Sequence, residues 1–194
     1  ERHGGKSLIP DETWKKLEES DACLKGPTIT PSGLGSPKSV AVSIRQRFDL
    51  YANLRPIRTY PNTKRPLGDV NFVCVRENTE GLYSGIEEQV DEDSYIAVRR
   101  ITRKGCRRIA RFAFEEAERR GWKRVVAIHK SNILKLTCGV FVEETKKVAE
   151  EYPGIELWDY HIDNMAQQLI KNPQLFNESV LLSTNLFMDI ISEE

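Results

Sequence analysis

Residues 69–85 read DVNFVCVRENTEGLYSG, and the remainder of the chain is arranged around them. Val70, Phe72, Val73 and Val75 make a run of β-formers that ends in Arg76, Glu77 and Asn78, and Tyr83 follows seven residues after the arginine. This pattern predicts an apolar strand with a polar end. Such a strand would deliver a guanidinium and a phenolic proton donor to the carboxyl edge of an α/β sheet, where these sheets usually hold ligands.

The flanking segments predict how that sheet is built. Downstream, GIEEQV and SYIAVRRIT are joined by the acidic turn DED and crowd polar residues on both faces, which predicts a projecting hairpin of the kind that often serves dimers. TRKGCRRIARFAFEEAERRG predicts a helix with Cys106, Ile109, Ala110, Ala113 and Ala117 on one face and Gly121 at its stop. Strand RVVAIHK follows, then a helix from Asn132 that ends before Pro153, strand IELWDYHID, a short helix NMAQQLIKN, strand SVLLSTN and the start of another helix in DIISEE. Strand alternating with helix implies an α/β fold with crossover connections.

Upstream, DETWKKLEES predicts a helix with Asp11 as its N-cap. ACLKGPTITPSGLGSPKS predicts a brief strand and then a long Gly/Pro/Ser-rich loop suited to binding. Its Gly33-Leu34-Gly35 lacks the third glycine and following helix of a dinucleotide fingerprint. Ser39 is a candidate N-cap for a helix carrying Val40, Ile44 and Phe48. Pro56 turns NLRPIRTYPN extended and places Arg55 near a candidate domain crossover.

Composition narrows the function classes. With 29 basic and 29 acidic residues in 194, and no basic tract interleaved with aromatics, nucleic acid is a poor partner. No apolar run approaches the ~20 residues of a membrane span. Cys23, Cys74, Cys106 and Cys138 are widely spaced in apolar stretches, as expected of reduced core thiols in a soluble cytoplasmic protein.

Each predicted strand ends in polar cargo: Arg76, Glu77 and Asn78; His129, Lys130 and Asn132; Asp163 and Asn164; Asn185 and Asp189. Taken singly, an arginine is usually solvated, and Asp163 before NMAQQ is as readily a helix cap. Taken together, Arg45, Arg55 and Arg76 suit a substrate with more than one carboxylate. Asp163, Asp189 and Glu193 offer hard oxygen ligands for Mg²⁺ or Mn²⁺, the last two at i, i+4 spacing. Lys130 and Tyr83 would exchange protons beside that metal.

LKGPTITP, KSVAVSIRQRFDLYANLRP, VRENTEGLYSGIE, ITRKGCRRIARFAFEEA, HKSNILKLTCGVF, HIDNMAQQLIKNPQLF and STNLFMDIIS together resemble the β-decarboxylating dehydrogenases, the isocitrate, isopropylmalate and homoisocitrate dehydrogenase family. The resemblance implies that family's own α/β fold, which is not a classical Rossmann fold. Residues 1–50 would be part of the large domain, and residues 51–194 the small domain, with a β arm at about 81–102 and dimer helices. It implies metal-dependent oxidation of a 2-hydroxy acid by NAD or NADP and loss of the β-carboxylate.

By motif position, Arg45, Arg55 and Arg76 resemble the carboxylate clamp, Ser39 the seryl contact to the distal carboxylate, and Thr30 a loop contact to the nicotinamide. Tyr83 is similar to the family's proton-donating tyrosine. Lys130 resembles the lysine that deprotonates the hydroxyl; Asp163, Asp189 and Glu193 resemble the Mg²⁺ or Mn²⁺ ligands. Lys130 and Asp163 would come from the neighbouring copy, so that a homodimer shares its site.

Ser39, Ala41 and Ser43 give no leucine-rich wall, which favours isocitrate over 3-isopropylmalate; homoisocitrate, 3-isopropylmalate and tartrate are the alternative substrates within the family. The expected role is that of the tricarboxylic acid cycle enzyme. Ala41, Met188 and Glu193 depart from the family pattern and motivate a second reading as a non-catalytic regulatory subunit. The resemblance also implies that a glycine-rich opening precedes residue 1 and that the adenosine-binding loops follow residue 194.

Overall fold

Asn71–Glu77 forms strand β2, buried from Phe72 onward. Its apolar run lacks polar alternation because both faces of the strand are covered. The computed structural model describes residues 8–29, 39–64 and 67–193. It divides into two compact units, Glu1–Leu50 and Tyr51–Glu194.

In the first unit, α1 spans Asp11–Glu18 and α2 spans Val40–Arg47. The N-cap of α1 is Pro10 rather than Asp11, which sits in the first turn, where its charge favours the helix dipole. Ser39 is the N-cap of α2 without a side-chain cap hydrogen bond, and its carbonyl accepts from the N–H and hydroxyl of Ser43. Arg47 pairs with Glu18 and stacks 4.9 Å from the centre of the Trp14 ring, while Trp14 meets Phe48 at 6.2 Å. Residues 22–29 form no strand, and Leu24 and Ile29 are fully exposed. Without an apolar partner surface, β propensity alone does not order a strand.

The second unit is built on a five-stranded sheet in the order β1-β2-β7-β5-β6. Its strands are β1 (Ala52–Arg58), β2, β5 (Arg124–His129), β6 (Glu156–His161) and β7 (Ser179–Ser183). β1 is antiparallel to β2, and the other neighbours are parallel. Pro56 lies in β1, at the edge of the sheet, where a missing N–H is tolerated.

Alternate residues along each strand go to opposite faces. Val73, Val75, Val125, Ala127, Val180 and Leu182 pack with α3 (Arg103–Arg120) and α4 (Thr137–Ala149). Phe72, Cys74, Val126, Ile128 and Leu181 pack against α5 (Ile162–Lys171) and α6 (Asn185–Ile191). The predicted helix from Asn132 begins only at Thr137; residues 131–136 are turns that leave Ile133 and Leu136 exposed. Gly121 caps α3 with φ +69°, as its position predicts. Two short strands, β3 (Glu87–Gln89) and β4 (Tyr95–Ala97), pair as a separate hairpin exposed on both faces. Among the described residues, no helix is long and apolar enough to cross a membrane.

Candidate active site

Because β2, β7, β5 and β6 are mutually parallel, their carboxyl ends share one edge of the sheet. Register lines up Arg76 with Ser183 and Ser183 with Ile128, so Arg76, Asn185, Lys130 and Asp163 all issue from that edge. The turn after β2 is shaped by Glu77, whose carboxylate accepts from the N–H and hydroxyl of Thr79 and from the N–H of Glu80. Gly81 sits in it at φ +82°, which disfavours a side chain. Glu80 accepts from the N–H and hydroxyl of Thr102, the N-cap of α3. This aims Tyr83 back over Arg76, the guanidinium lying 5.0 Å from the ring centre.

Arg76 is 2% exposed. Its Nε donates to Asn185 Oδ1 at 2.8 Å, and a terminal nitrogen donates to Asp189 Oδ1. The hydroxyl of Tyr83 donates to Asp189 Oδ2. Arg55, on β1, reaches Asp189 Oδ1 and Glu193 Oε1, each at 3.2 Å, and also donates to Ser192 Oγ. Two guanidiniums therefore converge on one carboxylate beside a phenol.

Burial works against ionisation of Asp189, but the Tyr83 hydrogen bond and the charges of Arg76 and Arg55 outweigh it and hold its pKa below the usual value. Burial, followed by the bond and charge of Asp189, raises the pKa of Tyr83. The phenol thus stays protonated and able to donate. Burial raises Glu77 as well, against its hydrogen bonds from Thr79 and Glu80.

Lys130 and Asp163 form a second group. Lys130 Nζ donates to Asp163 Oδ1 at 2.6 Å, and that bond lowers the pKa of Asp163. Asp163 lies within the first turn of α5, where His161 is the N-cap, so it is not a cap. With strands ~4.8 Å apart and β7 between β2 and β5, Lys130 springs from a strand about 10 Å from that of Arg76. Within one chain, Tyr83 is bound to Asp189 and Lys130 to Asp163, so the predicted proton-exchanging pair is divided between two groups.

Asp189 and Glu193, both hard carboxylate donors, each pair with the Arg55 guanidinium. That donor chemistry fits a divalent cation. Among the described residues, no three such side chains of one chain come together as a metal cluster.

The sequence profile described as isocitrate/isopropylmalate dehydrogenase matches residues 1–194. The chain belongs to the isocitrate/isopropylmalate dehydrogenase family. It is 45% identical over 188 residues to 3-isopropylmalate dehydrogenase of Methanothermobacter thermautotrophicus, a match covering 97% of this chain and 55% of the relative. It is 39% identical over 190 residues to the alpha subunit of the mitochondrial NAD isocitrate dehydrogenase of Macaca fascicularis, covering 98% of this chain and 54% of the relative. Among solved structures, isocitrate dehydrogenase from Methylococcus capsulatus superposes with a TM-score of 0.90 at 46% identity, covering 95% of this chain and 55% of that one. The chain spans about half the length of these relatives.

Within the family frame, Ser39 and Arg45 lie in the first unit, and Arg55, Arg76, Tyr83, Lys130, Asp163, Asp189 and Glu193 in the second. Thr30 lies outside the described residues. Met188 is fully buried among Cys74, Met165 and Leu181, so the core absorbs its side chain. Asn185 and Ser192, which hold Arg76 and Arg55, escaped sequence reading as partners. The only signal for Asn185 was its place at a strand end. Cys74, Cys106 and Cys138 are buried, and burial pushes the first two thiols up to about 12, but Cys23 is exposed and not a core thiol.

Proposed function

We propose that the chain is the substrate-clamping part of an NAD- or NADP-dependent dehydrogenase that oxidises and decarboxylates isocitrate to 2-oxoglutarate with Mg²⁺ or Mn²⁺. The observation that carries this reading is the convergence of Arg55 and Arg76 on the carboxylate of Asp189 beside a protonated Tyr83. An arrangement that already holds one carboxylate by two guanidiniums suits a polycarboxylate substrate.

In this mechanism, Arg45, Arg55 and Arg76 bind the substrate carboxylates and Ser39 contacts the distal one. Asp189 and Glu193, with Asp163 from a second copy, are the candidate metal ligands. A divalent metal held there would supply Lewis acidity at the hydroxyl oxygen, and a bound nicotinamide would supply the hydride acceptor. Lys130 of a second copy takes the hydroxyl proton. After the β-carboxylate leaves as carbon dioxide, Tyr83 returns a proton to the carbon that lost it. Thr30 is proposed to border the nicotinamide. In the proposed homodimer, residues 1–50 belong to the large domain, residues 51–194 are the small domain, and the arm at about 81–102 and the small domain's dimer helices face the second copy.

A second reading, 3-isopropylmalate as substrate, is favoured by the 45% identity to an enzyme of that name. The test is NAD(P)H production by the purified protein on isocitrate, homoisocitrate, 3-isopropylmalate and tartrate, each with Mg²⁺. Isocitrate turnover is expected to exceed the others. Turnover confined to 3-isopropylmalate would move the assignment to the second reading, and none on any acid would overturn both in favour of a regulatory subunit.

A further inference from the structure

We infer that His129 is a positioning residue for Lys130: its Nδ1 holds the backbone of the turn that carries the lysine, and Asp159 fixes the tautomer that permits this. The inference rests on the role proposed for Lys130. β5 ends at His129, which is 3% exposed. Past that point the chain leaves the sheet, and its N–H groups need other partners. The N–H of Ser131 donates to His129 Nδ1 at 3.3 Å. A ring nitrogen that accepts a hydrogen bond carries no proton, so a neutral imidazole here is protonated on Nε2. Nε2 lies 3.2 Å from Asp159 Oδ2 on the neighbouring strand β6 and donates to it.

The surroundings favour the neutral ring. Burial lowers the pKa of His129; Asp159 raises it by less, and the nearby His161 and Lys146 lower it further. The His161 ring stands edge-on at 5.3 Å. Asp159 is more than half exposed, so it contributes to tautomer choice more than to stability.

On either side of this bond the lysine backbone is fixed too. The Lys130 N–H donates to Cys138 Sγ at 3.4 Å, and its carbonyl accepts from the N–H groups of Ile133 and Leu134. A long, flexible stem places its ammonium reproducibly only from a fixed base. The anchored backbone sets where Lys130 Nζ can reach, here Asp163 Oδ1.

Asparagine and glutamine separate the two ring nitrogens, because the Asn Oδ1 takes the place of Nδ1 and the Gln amide that of Nε2. In the native protein, ¹⁵N NMR of labelled histidine is expected to show His129 unprotonated at Nδ1 and protonated at Nε2. Hydrogen exchange at the Ser131 amide is expected to quicken about tenfold or more in His129→Gln and by less than about threefold in His129→Asn, the loss of one hydrogen bond setting that scale. On the acid that supports turnover, kcat should fall in His129→Gln with KM nearly constant and recover in His129→Asn. An Nδ1–H tautomer in the native protein, or unchanged Ser131 exchange in His129→Gln, would overturn the inference. The expected tautomer and exchange pattern, in a protein that turns over none of the four acids, would instead uphold the positioning and sink the proposed function.

Discussion

Arg76→Met removes a buried guanidinium while keeping most of its volume, and the structure sets the size of the effect. Asn185, fully buried, keeps its Oδ1 but loses the donor at 2.8 Å, and an orphaned buried acceptor costs ~1–3 kcal/mol. Asp189 loses one of two cationic partners; because its side chain is 30% exposed and Arg55 and Tyr83 remain, that loss is worth only ~1 kcal/mol. The stacking on Tyr83 adds up to ~1 kcal/mol. The sum, about 2–5 kcal/mol, overlaps the ~3–5 kcal/mol range for breaking a buried charge pair. At ~2–4 °C per kcal/mol for a chain of this size, Tm should fall by roughly 10 °C. Thermal unfolding followed by circular dichroism measures this, with Arg76→Lys recovering part of the loss through its retained charge. A shift below about 2 °C in Arg76→Met would refute the geometry. If the clamp acts on substrate, the same variant should lose roughly two to three orders of magnitude in kcat/KM.

Other substitutions probe other parts. Tyr83→Phe should leave substrate affinity nearly unchanged but slow protonation of the product, seen as a fall in kcat at steady KM; it should also raise the pKa of Asp189, which loses the hydrogen bond that helps depress it. Glu144, fully buried on α4, is ionised against its burial by Arg107, Arg103 and Lys147, which hold its pKa at about 2. A carboxylate depressed in the folded state stabilises above its unfolded pKa and loses that contribution as pH falls toward the folded value. Acid unfolding between about pH 4.5 and pH 2 should therefore be shallower in Glu144→Gln than in the native chain, measured by CD titration. A Cβ at Gly105 would meet the Glu80 carboxylate at 2.6 Å, so Gly105→Ala should cost ~1–3 kcal/mol in denaturant unfolding despite its higher helix propensity.

The α/β architecture was legible because β2, β5 and β7 are short apolar runs buried on both faces, and α3 carries a clean apolar stripe closed by Gly121. What failed was local. Residues 22–29 have β-formers but no surface to cover, and Asn132–Leu136 have helical spacing but start as turns pinned by Lys130 and His129. The site was legible as strand-end cargo, since parallel strands must present their carboxyl ends together. Its pairings were not. No periodicity relates Arg55 to Ser192 or Asn185 to Arg76, which meet only after strands distant in sequence have stacked in register.

The strand order carries a consequence for biosynthesis. β7, the last of the described strands, lies at the centre of this sheet between β2 and β5. During synthesis β2 and β5 therefore emerge with unpaired edges that β7 later joins. Arg76 leaves the ribosome 113 residues ahead of Asp189. At ~5–20 residues per second, that guanidinium waits roughly 5–20 s for its counter-ion. The centre of the nascent sheet is for those seconds an open template for strand addition, the interval in which a chaperone has most to protect.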